Sequence, residues 1–167
     1  MKNVDIVKLV ELAGDDTEKL QEELYRLTKL LALNFELANF IEDISKPAEA
    51  RGKMIIEAFP SSSKTFKGLI SVLIKNELCR KIPEISAEVT ELAAKKLGVR
   101  FDELVFSEKP AEDLLLKFNK IANGKVRFRI EIDPSIMGGF IWKTGNGKIM
   151  DASIAGRLSA IKEEIAA

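Results

Sequence analysis

Asp133-Pro134-Ser135-Ile136-Met137-Gly138-Gly139-Phe140 and, one hairpin further on, Asp151-Ala152-Ser153-Ile154-Ala155-Gly156-Arg157-Leu158 decide how the C-terminal part of this chain folds. Pro134 fixes φ for a tight turn, and Asp133 can accept backbone N–H bonds within it. Gly138 and Gly139 lack Cβ atoms, which permits positive φ or a bulge before a strand and lets a neighbouring element come close. Asp151 and Ser153 bracket the end of the hairpin and the start of a helix, where both residue types cap and form turn bonds. Arg157, one turn into that helix, is placed to bond a carboxylate or carbonyl, with Asp151 and Asp133 the obvious acceptors. Each of these residues makes sense as architecture, without chemistry.

Working outward, Val126, Phe128, Ile130 and Ile132 alternate with Arg127, Arg129 and Glu131, which predicts a strand with one buried and one wet face. Phe140 to Lys143, a Thr144-Gly145-Asn146-Gly147 turn and Lys148 to Met150 predict a hairpin. Ser153 then caps a terminal helix whose Ile154, Leu158, Ile161 and Ile165 line one side. Upstream, Leu104-Val105-Phe106-Ser107 reads as a short strand, and Pro110 to Ala122 as a helix with Leu114, Leu115, Phe118 and Ile121 inward.

Before Gly98 the period is helical. Ile6, Leu9, Val10 and Ala13 form one stripe, and Leu20, Leu24, Leu27 and Leu31 a second, separated by Gly14-Asp15-Asp16-Thr17. A shorter helix carries Phe35, Ala38 and Ile41. Pro47 opens another with Met54, Ile55 and Ala58, and Pro60-Ser61-Ser62-Ser63 breaks it. Phe66, Leu69, Ile70, Leu73 and Ile74 make a strong apolar face. Pro83 opens the last helix, with Ile85, Val89, Leu92 and Ala93, ended by Gly98. The expectation is an α+β chain. An N-terminal six-helix bundle spans 1–104, and a small α/β domain with a β-hairpin and a terminal helix spans 105–167.

The chain has 167 residues, 46% of them apolar, with Lys+Arg and Asp+Glu balanced at 26 each. A net charge of zero removes the bulk attraction on which non-specific binding to nucleic acid or anionic membrane draws. Cys79 is the only cysteine and histidine is absent. Intrachain disulfides, multi-cysteine metal sites and His-based proton relays are therefore excluded. Met1-Lys2-Asn3-Val4-Asp5 runs straight into alternating charge with no secretory signal pattern, and no apolar run reaches the roughly 20 residues a membrane span needs. The expectation is a soluble protein that meets a membrane only through partners. Asp133 and Asp151 as a catalytic carboxylate pair are the poorer reading, since each sits at a turn that favours aspartate anyway. Gly145-Asn146-Gly147-Lys148 lacks the Ser or Thr of a phosphate loop, with Ile149 in that place.

The ordered set from Asp133 to Phe140, the hairpin, and Asp151-x-Ser153 with Arg157-Leu158 resembles the C-terminal signature of the delta/oligomycin-sensitivity-conferring subunits of F-type ATP synthases. Pro47 to Lys53 and Phe66 to Ile85 resemble that family's middle segments more faintly. The Tyr-Ala usual near the family's N-terminus is absent. The resemblance implies a non-catalytic stator subunit without a cofactor or metal. It would be peripheral on the cytoplasmic face of a bacterial membrane and monomeric alone, joining the catalytic head to the b subunits. It further implies a helix-in-groove site for an alpha-subunit N-terminal helix on Ile6, Leu9, Val10, Ala13, Phe66, Ile70 and Ile74. Phe140, Trp142, Ile154, Leu158 and Ile161 would receive the b subunits. Asp133, Pro134, Gly138, Gly139, Asp151, Ser153 and Arg157 form its structural signature. The alternative is an RNA-binding helical accessory protein of transcription or translation, using Arg127, Arg129 and Lys143. Glu131 interrupts that row, and aromatics for base stacking are scarce.

Overall fold

A computed structural model describes residues 5–166, with side chains described through residue 162. The Met1-to-Val4 stretch and the Ile165 side chain of the terminal stripe lie outside those limits. Helices come first: α1 (Ile6–Ala13), α2 (Thr17–Leu33), α3 (Phe35–Glu42), α4 (Ala48–Ala58), α5 (Lys64–Lys75) and α6 (Ile82–Leu97). Single 3-10 turns at Gly14–Asp16 and Cys79–Lys81 add helical segments, so the plain count of six is too simple for this half. The mixed part follows as β1 (Arg100–Phe106), α7 (Glu112–Ala122), β2 (Val126–Ile132), β3 (Phe140–Lys143), β4 (Ile149–Asp151) and α8 (Ile154–Ala166). Two compact units divide between Ala93 and Ala94. Residue 104, the boundary expected from sequence, lies inside β1, because Arg100 to Glu103 mixes charge with apolar residues and gives no strong strand signal.

Short-range chemistry starts the helices of the first unit. The Asp5 carboxylate accepts from Lys8 N at 3.1 Å, and the Asn34 side chain accepts from Leu37 N at 2.9 Å. Ser63 Oγ accepts from Phe66 N at 3.1 Å and caps α5. That serine is itself held from a distance. Glu23, buried on α2, accepts from Ser63 N and Ser63 Oγ, both at 2.7 Å. The acidic pair Asp15 and Asp16 sits in the first 3-10 turn, yet Asp16 makes no side-chain cap. Gly14 instead turns the chain at φ 53°, and its carbonyl receives the Thr17 hydroxyl at 2.7 Å.

The core of this unit collects the apolar stripes: Leu20, Leu24, Leu27, Ile55, Phe66, Ile70, Leu73 and Val89 are inaccessible to solvent. Each such side chain contributes about 1.5–3 kcal/mol by leaving water. Cys79 is buried with them, and burial pushes its thiol pKa up. Arg51 is buried too, donating from Nη1 to the Ile41 carbonyl at 3.2 Å, at the C-terminal end of α3 where a cation suits the helix dipole.

In the second unit the strands form one four-stranded sheet in the order β2-β1-β3-β4. β1 pairs with β2 in parallel, which requires a crossover, and α7 supplies it. β3 lies antiparallel to both β1 and β4. Asn123 ends α7 in the left-handed region at φ 48°. Phe118 projects from α7 onto Phe106, Phe128, Phe140 and Trp142, with ring centroids 6.1, 5.8, 5.1 and 5.9 Å away in edge-to-face contacts. The expected clean alternation of β2 is not observed. Ile130 and Ile132 are exposed, while Arg129 is half-buried with its guanidinium 5.0 Å from the Phe101 ring. β2 is an edge strand, and the aromatic cluster that covers Phe128 does not extend to its far end. No helix among the described residues is long and apolar enough to cross a membrane.

Candidate functional site

The signature residues weld the start of α8 to the end of the sheet. Asp133 N donates to the Phe106 carbonyl at 2.8 Å, and its carboxylate accepts from Ser135 N at 2.9 Å. Pro134 opens a 3-10 turn that buries Ile136, and Met137 leaves it at φ 63°. Gly139 has φ 75°, and a Cβ there would lie 2.2 Å from the Ala152 carbonyl oxygen. Only glycine lets these two segments approach so closely. Asp151 accepts from Ser153 N at 2.8 Å, the buried Ser153 accepts from Gly156 N at 2.9 Å, and Ile154 N donates to the Gly138 carbonyl at 3.1 Å. Hydrogen bonds to the ionised forms hold the Asp133 and Asp151 carboxyls below the ordinary carboxylate range.

Arg157 is the exception. It bonds neither Asp133 nor Asp151, and its side chain is exposed on α8. The expected internal bond is not made: the Arg157 side chain is exposed, and each aspartate instead accepts the N–H two residues onward.

A second polar node was not foreseen. Asp102, inaccessible on β1, accepts from Arg100 Nε at 2.6 Å and Arg100 Nη2 at 2.7 Å. It also accepts from Trp142 Nε1 and Gly145 N, each at 2.8 Å. Burial by itself raises this carboxyl's pKa, but the bonds from Arg100, Gly145 and Trp142 outweigh it and hold it below the ordinary range. Arg100-x-Asp102 was a visible local hint, since residues two apart on a strand share a face. The Trp142 and Gly145 partners, some forty positions away, left no local trace. Nearby, Lys143 Nζ and Glu103 Oε1 lie 2.5 Å apart across β3 and β1.

Of the residues expected to line a groove, Leu9, Val10, Ala13, Phe66, Ile70 and Ile74 are buried in the first unit's core, with Ile6 half-buried against it. Their side chains are engaged in packing. On the same two helices the exposed apolar residues are Val7, Leu12 and Val72, at 55%, 80% and 45% exposure. Sequence reasoning passed them over because they fall off the main stripe. Ile70 and Ile74 also floor a cleft of about 330 Å³ beside Gly52 and Ile56 of α4.

Phe140 and Trp142 are half-buried members of the aromatic cluster. Ile154, Leu158 and Ile161 behave differently, remaining 49%, 46% and 51% exposed along α8. These three recur at i, i+4 and i+7, one face of a helix. A helix anchored at its first turn, with that face uncovered, is suited to binding another chain.

Comparison with known proteins agrees in kind. A model of the family described as ATP synthase delta (OSCP) subunit matches residues 8–165. The ATP synthase subunit delta of Bacillus pumilus is 32% identical over 169 residues, covering 97% of this chain and 90% of the relative. That of Flavobacterium johnsoniae is 26% identical over 153 residues, covering 89% and 85%. Among solved structures, a chain of the Toxoplasma gondii mitochondrial ATP synthase hexamer shares the fold with a TM-score of 0.53 at 17% identity, covering 97% of this chain and 95% of that one.

Proposed function

The chain belongs to the ATP synthase delta (OSCP) subunit family and is a non-catalytic subunit of that complex, and we propose that its two units grip different neighbours within it. The mechanical need is plain. Rotation of a central shaft drags on the catalytic head, and a head free to turn would do no work. The peripheral stalk must hold it, so this subunit has to supply affinity and shape, with no reactive group.

The first unit (expected at 1–104, compact through Ala93) takes the head. An amphipathic N-terminal helix of an alpha subunit lies along α1 and α5 in the helix-in-groove mode, against the exposed Val7, Leu12 and Val72. Leu9, Val10, Ala13, Phe66, Ile70 and Ile74 form the packed floor under that contact. The second unit takes the b subunits on α8. The observation that carries this reading is the uncovered stripe of Ile154, Leu158 and Ile161 on a helix rigidly tied at its base. Phe140 and Trp142 stiffen the sheet beneath that base. The subunit is peripheral to the membrane and reaches it only through these partners. We place it on the cytoplasmic face of a bacterial membrane, monomeric when isolated.

The test is a pull-down from solubilised membranes with two surface variants. Leu12→Glu is expected to keep b-subunit binding and weaken head binding at least tenfold, and Leu158→Glu to do the reverse. Retention of both partners by both variants overturns the assignment.

A further inference from the structure

We propose that Arg157 is a partner-facing anchor, which pairs with a carboxylate on the helix that docks against α8 and so sets the register of that docking. The inference rests on the reading of α8 as the b-subunit surface and adds the residue that makes the contact specific. The other polar residues of the signature are occupied internally, since Asp133, Asp151 and Ser153 each accept a backbone N–H. Arg157 has no such engagement. Its side chain is exposed, and among the described residues its guanidinium takes part in no hydrogen bond or ion pair. Nor does the helix offer one. The positions three and four residues away on either side are Ile154, Ser153, Ala160 and Ile161, none of them acidic.

Arg157 also borders the apolar stripe. Ile154, Arg157, Leu158 and Ile161 fall at i, i+3, i+4 and i+7, with Arg157 at the edge of the face the three aliphatic side chains share, so a helix docked on that face runs directly against the guanidinium. Covering an arginine without an anion is strongly unfavourable, whereas a carboxylate matches its planar fork with two parallel bonds. The occupant that fits is an amphipathic helix with an aliphatic stripe interrupted by one Asp or Glu. The apolar residues supply area, and the single charged pair fixes which turn of the partner lies opposite Arg157.

The experiment titrates the full chain with the soluble segment of the b subunit from the same source, across a range of salt. Arg157→Gln is expected to bind at least tenfold more weakly, with a flatter salt dependence and an unchanged Tm, and Arg157→Lys to recover part of the loss. Arg157→Glu is expected to bind worst and to be rescued by Lys at one acidic position of the b segment. If Arg157→Gln binds like the parent while Leu158→Glu does not bind, α8 is the stalk surface but Arg157 is no anchor. If both variants bind like the parent, the assignment of α8 falls with it. A fall in Tm with unchanged affinity shows that Arg157 serves the fold, and dimerisation through α8 in sedimentation shows that the occupant is a second copy. Any one of these four results overturns the proposal.

Discussion

Single residues in the second unit divide into those that hold backbone and those that hold charge. Gly139 belongs to the first kind, with positive φ and a carbonyl oxygen where a Cβ would sit. Gly139→Val is expected to destabilise this unit by about 3 kcal/mol, since both strain and overpacking act there. Gly147 also has positive φ, at 83°, but open space around it. Gly147→Ala is expected to cost only about 1–2 kcal/mol. Thermal melts of the two variants side by side check the comparison. Asp102 belongs to the second kind. Its folded pKa is depressed, so its contribution is fully present above the ordinary carboxylate pKa and is lost as pH falls through the folded value. The parent should therefore lose Tm progressively below about pH 4. Asp102→Asn should lose about 2–3 kcal/mol at neutral pH, because an amide cannot accept from all these donors, and should flatten that acid limb. A pH series of melts for both proteins decides it.

At the scale of elements, α5 shows how a cap is made tertiary. Ser63 caps the helix and also presents its N–H and hydroxyl to the buried Glu23 of α2. Ser63→Ala removes the cap and one donor to a carboxylate that stays buried, so about 2 kcal/mol or more is expected in denaturant titration. Asn34→Ala, at an exposed cap, should cost about 1 kcal/mol. The helices α1 and α5 also separate packing from contact. Ile70→Glu places a charge in a closed core and is expected to unfold the helical unit, while Leu12→Glu leaves its circular dichroism and Tm unchanged. The stripe from Ile6 to Ala13 was legible as a stripe, since a period of 3.6 needs only the sequence. Whether that stripe faced the core or a groove was not legible, because both demand the same residues. Leu12, off the stripe, is the most exposed apolar residue of the two helices.

For the molecule as a whole, each unit has its own core and its own uncovered apolar surface. That arrangement suits a subunit whose work is holding. A variant carrying both Leu12→Glu and Leu158→Glu is expected to lose both neighbours by the sum of the single effects, because the sites share no residue. Binding measured separately to the head and to the b segment checks this.

By itself the sequence determined the order of helices and strands, the turn built on Asp133 to Gly139, the start of α8 at Ser153, and through them the family. All of these follow from local sterics and short-range capping, which act within a few residues. The fold alone decided that Ile70 is core, that Asp102 gathers Arg100, Trp142 and Gly145, and that Arg157 faces outward. Burial and long-range hydrogen bonding depend on which surfaces meet after the chain has closed on itself, and no periodicity in one segment records what another segment brings to it.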